Sequence, residues 1–331
     1  MTEQFAFAEK KNDTQDFFPD RKSMLRQSLE VFGKNKGAVA GLVIFLLILF
    51  MGLIGPSVSG YTYDDIQLQM QNLPPRIPVL EKLGICDGTV QGVNMYELKN
   101  ASDRYFWFGT DSLGRDLFTR LCYGIRISLL IAAVSAFLDL VIGTTYGMIS
   151  GYYGGKTDLI MQRVVEIING VPMMVIVSLL VVVMSPGLFS IIAAMSISGW
   201  LGMSRLVRAN TLRLKESEHV QASRVLGTGT LVILFREIFP NLLSSVIVMT
   251  MMTIPGAIFM ESFLSFVGLG IPAPQASLGS LISDGYAHML TYPYQMFVPS
   301  LLFALLMISL NLMGDGLPDD PFPENALHEE Q

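Results

Sequence analysis

Long apolar stretches recur along this sequence and constrain its fold more than any other feature. They lie at about residues 38–56, 127–149, 164–184, 188–204, 242–268 and 296–313. A helix needs about 20 apolar residues to cross a bilayer, so each stretch can span one with some tilt. Only 15% of the residues are charged, whereas a soluble domain usually carries about a quarter. The sequence therefore predicts an all-α polytopic membrane protein with six transmembrane helices.

These stretches divide the chain into successive segments. We expect an N-terminal tail (1–36), a first transmembrane helix (37–57), a long loop (58–124), a core with helices 2–6 (125–316) that includes a connection at 205–241, and an acidic tail (317–331). Lys and Arg are frequent in the first tail and in the 205–241 connection, and they are absent between the fifth and sixth stretches. Because Lys and Arg favour cytoplasmic loops, both termini are predicted in the cytoplasm and the long loop outside.

Several classes of function fit this sequence poorly. The net charge of −6 disfavours a nucleic-acid partner, since such proteins usually present a basic surface. Residues 150–157 come close to a phosphate-binding loop, but Ser150 stands where its first glycine is needed. Cys86 and Cys122 are too few for a metal cluster. We therefore expect no enzymatic activity and no metal or cofactor bound by this chain.

Small residues form a regular pattern in the second stretch. Gly143, Gly147 and Gly151 recur every four residues and so share one helix face. Such a face lets another helix approach closely. We interpret it as helix packing within the chain, and an interface to a second copy or partner is the alternative.

Few polar side chains interrupt the apolar stretches, and a carboxylate there normally faces a cavity or a partner. Glu261 and Ser262 follow Pro255–Gly256, which predicts a broken helix beside a transport pathway. We consider Glu261, Ser262 and Asn311 as pathway or gate residues, with a structural hydrogen bond as the alternative. Asp139 is interpreted as structural.

The connection at 205–241 is long and amphipathic. A loop of this length in an otherwise tightly joined chain is usually functional. It predicts a short helix that ends at Gly227, with the chain re-entering the membrane at Pro240. The helix could place its apolar face in a groove on a cytoplasmic partner, or it could lie on the lipid headgroups.

Residues 221–227 followed by residues 237–240 resemble the coupling-loop motif of ABC importer permeases, Glu-Ala-Ala, three residues, Gly, nine residues, then Ile-x-Leu-Pro. Gln221, Ser223 and Glu237 depart from that motif, although the spacing from glycine to proline is kept. Segments 108–116, 151–158, 170–172, 261–270 and 276–285 are also similar to permeases of the oligopeptide, dipeptide and nickel importers. The resemblance covers about residues 32–316. These importers contain two related permeases, B-type and C-type, and the sequence is most similar to the C-type.

The resemblance implies a bacterial cell-membrane protein that forms half of a peptide pathway. Its partners would be a second homologous permease, two cytoplasmic ATPases that use ATP, an extracytoplasmic peptide-binding protein and membrane lipid. The residues implied to couple to the ATPases are Glu218, Gln221, Ala222, Ser223, Gly227 and Pro240. Oligopeptides are favoured as substrate, and dipeptides or nickel complexes remain open. The rival interpretation is a secondary transporter or channel driven by an ion gradient, with Asp139 or Glu261 as its ion site.

Overall fold

The computed structural model describes residues 30–78 and 80–317, and these residues are mostly helical. The helices are α1 (Lys36–Ser59), α2 (Met95–Leu98), α3 (Leu117–Tyr153), α4 (Gly155–Asn169), α5 (Met173–Met184), α6 (Leu188–Ser198), α7 (Trp200–Leu214), α8 (Glu218–Val225), α9 (Thr230–Phe266), α10 (Leu278–Ala287) and α11 (Tyr294–Gly314). Two 3₁₀ turns, Leu68–Met70 and Glu81–Leu83, and a small hairpin of β1 (Thr89–Val90) with β2 (Val93–Asn94) complete the elements. Most of the predicted N-terminal tail and nearly all of the acidic tail lie outside the described residues.

The fold is that of an all-α polytopic membrane protein. Within the described part of the chain, five helices are long and apolar enough to cross a membrane, namely α1, α3, α6 with α7 as one span, α9 and α11. A sixth span is present if α4 and α5 are counted together, although they are bent by 77° relative to each other. The apolar stretch predicted as a span over 164–184 is therefore bent in the structure. The bend falls at residues 170–172, where Gly170 caps α4 and Pro172 disfavours helical geometry at the residue before it.

Several helices extend beyond their predicted ends. α3 begins at Leu117 instead of at about 125, and its 37 residues measure about 55 Å at 1.5 Å per residue. α7 continues to Leu214 and α9 begins at Thr230, so the connection between them is shorter than the predicted 205–241. The break predicted at Pro255 is absent, because α9 continues through that proline.

α3 lies at the centre of the described helices and packs most extensively on α7. The glycine face meets α7 directly. An added Cβ at Gly147 would lie 2.6 Å from the Ser204 carbonyl oxygen, and one at Gly151 would lie 2.8 Å from the Arg208 carbonyl oxygen. Gly143 likewise meets Met203. The face that could have bound a second copy is therefore occupied by this chain's own helix.

Residues 60–116 form an irregular cap with a small core of its own, which consists of Met70, Leu73, Tyr96, Ala101 and Phe106. The cap is joined to α11 by hydrogen bonds. The Gln295 amide donates to the Thr110 carbonyl at 3.0 Å and to Asn72 Oδ1 at 2.9 Å. The Tyr294 hydroxyl also donates to the Thr110 carbonyl, at 3.1 Å.

A buried ionic cluster joins the cap to α3. Asp111 Oδ2 accepts from Arg115 Nε and from Arg120 Nη1, each at 2.7 Å. Arg120 also lies 3.5 Å from Asp284 on α10. Removing one member of a buried ion pair is costly, because the other charge is left without compensation. The cluster therefore holds the cap, α3 and α10 in one arrangement.

Candidate functional site

The segment between α7 and α9 contains the short helix α8. Its start follows Ser217, which has an extended backbone, and its end has the hydrogen bonds of a Schellman motif. The Gly227 N–H donates to the Arg224 carbonyl and the Thr228 N–H to the Ser223 carbonyl, each at 3.1 Å. Gly227 has φ +79°, a conformation that favours glycine. The sequence had placed the end of this helix at the same glycine.

One side of α8 is anchored in the protein. Val220 is buried in an apolar cluster with residues of three longer helices, which are Met148 and Tyr152 of α3, Met203 and Val207 of α7, and Ile233, Leu234, Ile238, Leu242 and Val246 of α9. The Arg224 guanidinium lies 5.5 Å from the centroid of the Tyr152 ring, within range of a cation–π contact. A displacement of α8 would therefore also displace the residues of α3, α7 and α9 that pack against it.

Four exposed apolar residues lie at the end of α8 and the start of α9, and we refer to them together as the exposed apolar patch: Val225, Leu226, Leu231 and Phe235. Val225 and Leu226 are 86% and 84% exposed, unusually high values for adjacent aliphatic residues. An apolar surface of this kind with a polar rim is typical of an interaction site. Glu218, Gln221 and Ala222 are exposed on the same short helix, and the first two are polar, as such a rim requires.

The remaining residues predicted for this site are placed differently. Ser223 is half-buried, and its carbonyl takes part in the cap at the end of α8. Pro240 lies inside α9, which begins ten residues earlier at Thr230. It follows Phe239, the residue after a π-helical stretch, Ile233–Ile238. A proline lacks the N–H and clashes with the carbonyl four residues earlier, and the wider π turn relieves that clash.

A polar network lies beside the start of α8, and the sequence alone does not predict it. Arg208 of α7 makes a bidentate ion pair with Asp158 of α4, with Nε–Oδ1 and Nη2–Oδ2 distances of 2.5 Å. Ser150 of α3 donates to the same carboxylate at 2.5 Å. Lys215, just after α7, donates to the Gly151 carbonyl at 2.9 Å. Such partners are far apart in the chain, and no local pattern signals their pairing.

The pathway candidates are not all in one place. Glu261 is fully buried and accepts hydrogen bonds from the hydroxyls of Ser128 at 2.7 Å, Ser265 at 2.8 Å and Ser262 at 3.3 Å. This cluster joins α9, near its C-terminal end, to the N-terminal half of α3. Asn311 lies elsewhere, exposed on α11, and its amide donates to the Met307 carbonyl at 2.9 Å. These hydrogen bonds are consistent with both interpretations of Glu261, a structural hydrogen bond and a gate that opens when the bonds break.

Asp139 is buried in α3 beside the junction of α6 and α7. An added Cβ on Gly199 would lie 2.4 Å from Asp139 Oδ1, and that oxygen has no hydrogen-bond partner among the described residues. In the same part of the chain, no group of three or more His, Cys, Asp or Glu side chains is arranged to hold a metal ion.

Comparison with known families identifies two matching regions. Residues 143–319 match the family described as binding-protein-dependent transport system inner membrane component. Residues 23–75 match the N-terminal TM domain of oligopeptide transport permease C.

Individual relatives match over most of their length. The chain is 41% identical over 297 residues to the oligopeptide transport system permease protein OppC of Bacillus subtilis strain 168, covering 90% of this chain and 88% of the relative. It is 42% identical over 287 residues to the dipeptide transport system permease protein DppC of the same strain, covering 86% and 81%. OppC of Escherichia coli K12 is 34% identical over 323 residues, covering 96% and 99%.

One solved structure supports the fold alone. A chain of the MetNI methionine ABC transporter in an inward-facing conformation, in its CY5 native crystal form, superposes with a TM-score of 0.50 at 20% identity. The match covers 59% of this chain and 93% of that one.

Proposed function

Since the chain belongs to the family of binding-protein-dependent transport system inner membrane components, and is thus a permease subunit of an ABC transporter, we propose that it forms half of the translocation pathway of an ATP-driven oligopeptide importer. The relatives named for oligopeptide and dipeptide transport are about equally similar to it. We favour oligopeptides because the long loop at 58–105 resembles that of larger peptide permeases. Dipeptides and nickel complexes are the alternatives.

The proposed assembly contains a second homologous permease, two cytoplasmic ATPases and an extracytoplasmic peptide-binding protein, all held in or at a bacterial cell membrane. ATP is hydrolysed on the ATPases, and this chain binds no cofactor. Both termini lie in the cytoplasm, because the basic residues around α8 mark its side as cytoplasmic. The cap of residues 60–116 then lies outside.

The observation that carries the proposal is the two-sided character of α8. Val220 anchors it to α3, α7 and α9, while Val225 and Leu226 are exposed to a partner. We propose that the exposed apolar patch docks into a groove on an ATPase. Closure of the ATPases then pushes on α8 and moves the helices between inward-open and outward-open states.

We propose that the cluster in which the Ser128 and Ser262 hydroxyls donate to Glu261 acts as a gate near the outer end of α9. The third pathway candidate lies near the opposite end of the helices, because α11 begins at the cap and ends at Gly314. Asn311, exposed on α11, is proposed to line the pathway.

The docking proposal is tested by Leu226→Asp in the full complex. A charge at this position should abolish copurification of the ATPases and ATP-dependent peptide uptake, while the permease stays in the membrane. Leu83→Asp is the matched control, since Leu83 is an exposed leucine of the outer cap. It should leave ATPase copurification unchanged. Retention of the ATPases by the Leu226 variant would refute the docking role.

The energy source is tested in proteoliposomes that contain the wild-type complex. Uptake should require ATP and should persist when an ionophore collapses the ion gradients. The opposite pattern would favour the gradient-driven transporter or channel.

A further inference from the structure

The span formed by α4 and α5 makes few apolar contacts with the rest of the protein along its cytoplasmic half. Val165 is the buried residue of α4, where it packs with Trp200 and Leu201 of α7. A 77° bend at residues 170–172 separates α4 from α5. α4 is therefore held mainly by polar contacts, which include hydrogen bonds from the Tyr146 hydroxyl of α3 to the Met161 carbonyl at 2.7 Å and from the Gln162 amide to Ser150 Oγ of α3 at 3.2 Å.

α3, α7 and the start of the α8 segment form one tightly joined unit. The backbone of Arg208 lies against the glycine face of α3, so an added Cβ at Gly147 would be 3.0 Å from the Arg208 N atom. Lys215 ties the end of α7 to the Gly151 carbonyl of α3 at 2.9 Å. α8 begins three residues after Lys215. A push on α8 therefore reaches α3 and α7 together.

The Asp158–Arg208 ion pair connects this unit to α4. Its two 2.5 Å bonds have the fork geometry that makes Arg–carboxylate pairs directional. The side chains are only 15% and 31% exposed, and Ser150 of α3 adds a third bond to the carboxylate. Partial burial reduces screening by solvent and salt. The pair can thus transmit a displacement that an exposed ion pair could not.

We propose that Asp158 and Arg208 are positioning residues through which movement of α8 reaches the α4–α5 span. The proposal rests on the importer function proposed above. When α8 moves with the ATPases, the ion pair carries α4 along, and the bend at residues 170–172 absorbs the change in angle. Without the pair, α4 would be held to this unit only by its contacts with α3 and would no longer follow α7, so ATP would be hydrolysed without completing transport.

The test is Asp158→Asn in the full complex, reconstituted in proteoliposomes with its binding protein and peptide. The number of ATP molecules hydrolysed per peptide imported should rise at least about fivefold, the lower end of typical coupling effects between sites. Complex assembly should be unchanged. An unchanged ratio would overturn the proposal.

Glu166→Gln is the matched control on the same helix. Glu166 pairs with Arg163 at 2.6 Å, but both residues belong to α4 and are 59% and 70% exposed. Loss of the Glu166 charge should leave the number of ATP molecules hydrolysed per peptide at the wild-type value. Arg208→Gln should match Asp158→Asn, and the double variant should be no worse than either single variant, because the two side chains act as a unit. Additive effects, or an equal effect in the Glu166 variant, would contradict the proposal.

A rescue experiment separates loss of coupling from misfolding. Asp158→Cys with Arg208→Cys, in a chain whose native Cys86 and Cys122 are replaced by Ala, should be uncoupled. A short bifunctional thiol reagent that bridges the two positions should restore the wild-type ratio in the same protein. Bridging without restoration would overturn the proposal. Absence of ATP-dependent uptake by the wild-type complex would instead refute the importer function itself.

Discussion

Individual glycines in this protein meet two different physical needs. Gly147 permits close approach, because its missing side chain leaves room for the backbone of α7. Gly227 permits an unusual conformation, since its φ is +79° and an added Cβ there would meet nothing within 4 Å. The first role concerns a neighbouring helix and the second concerns the residue alone, so only the second is visible in a local sequence pattern.

Gly147→Ala should destabilise the protein by about 1–3 kcal/mol, the usual cost of overpacking. Its Cβ would lie 2.6 Å from the Ser204 carbonyl oxygen, so α3 and α7 would have to separate. Thermal unfolding in detergent measures the effect. Gly256→Ala is the control, because an added Cβ there meets nothing within 4 Å. Equal melting temperatures for the two variants would contradict close packing at Gly147.

At the scale of helices, polar side chains decide how the apolar segments are joined. Asp111 holds the cap to α3, Glu261 holds α9 to α3, and Asp158 holds α4 to α7. Buried polar groups are expensive unless they are hydrogen-bonded, so each connection favours one arrangement of its helices. The same connections are suitable points of control, since breaking one releases a particular pair of helices.

Glu261→Gln tests the proposed gate. An amide has one acceptor oxygen where the carboxyl group has two, so the serine hydroxyls would be held less firmly. We expect unchanged thermal stability and up to about a tenfold fall in peptide uptake, equivalent to about 1.4 kcal/mol. Glu261→Ala should lower both, because it also leaves a cavity and unpaired hydroxyls. Uptake at the wild-type rate by the Gln variant would leave Glu261 with a structural role only.

At the scale of the whole molecule, the cap and the α8 segment lie at opposite ends of the long helices. This separation suits a subunit that meets its substrate on one side of a membrane and its energy source on the other. The two native cysteines provide a test of the orientation. Cys86 lies partly exposed in the cap, whereas Cys122 is buried in α3.

A membrane-impermeant maleimide should label Cys86 in right-side-out vesicles and should not label Cys122 in folded protein. In vesicles that contain the permease without its ATPases, a cysteine introduced as Leu226→Cys should react only when the vesicles are inside-out, because that leucine is exposed on the predicted cytoplasmic side. Mass spectrometry of the labelled chain identifies the modified residue. Reaction of Cys86 only in inside-out vesicles would contradict the predicted orientation and place the cap in the cytoplasm.

The fold class and most spans follow from the sequence because they depend on local properties. In lipid, a backbone must satisfy its hydrogen bonds within its own segment, so a run of about 20 apolar residues is sufficient evidence for a helix. The end of α8 at Gly227 is local as well, because it depends on the backbone conformation of that one residue. The coupling motif was also recognisable, since its residues lie close together in the chain.

Only the tertiary structure decides which helices meet and through which side chains. The bend between α4 and α5, the pairing of the glycine face with α7, and the ion pairs of Arg120 and Arg208 were not predicted. Arg208 and Asp158 are 50 residues apart in the chain, and each has other plausible partners in an unfolded chain. The length of an apolar stretch is sufficient to predict that it lies in a membrane, because that depends on the stretch alone. The partner of each polar side chain depends on how the helices pack, which no single stretch determines.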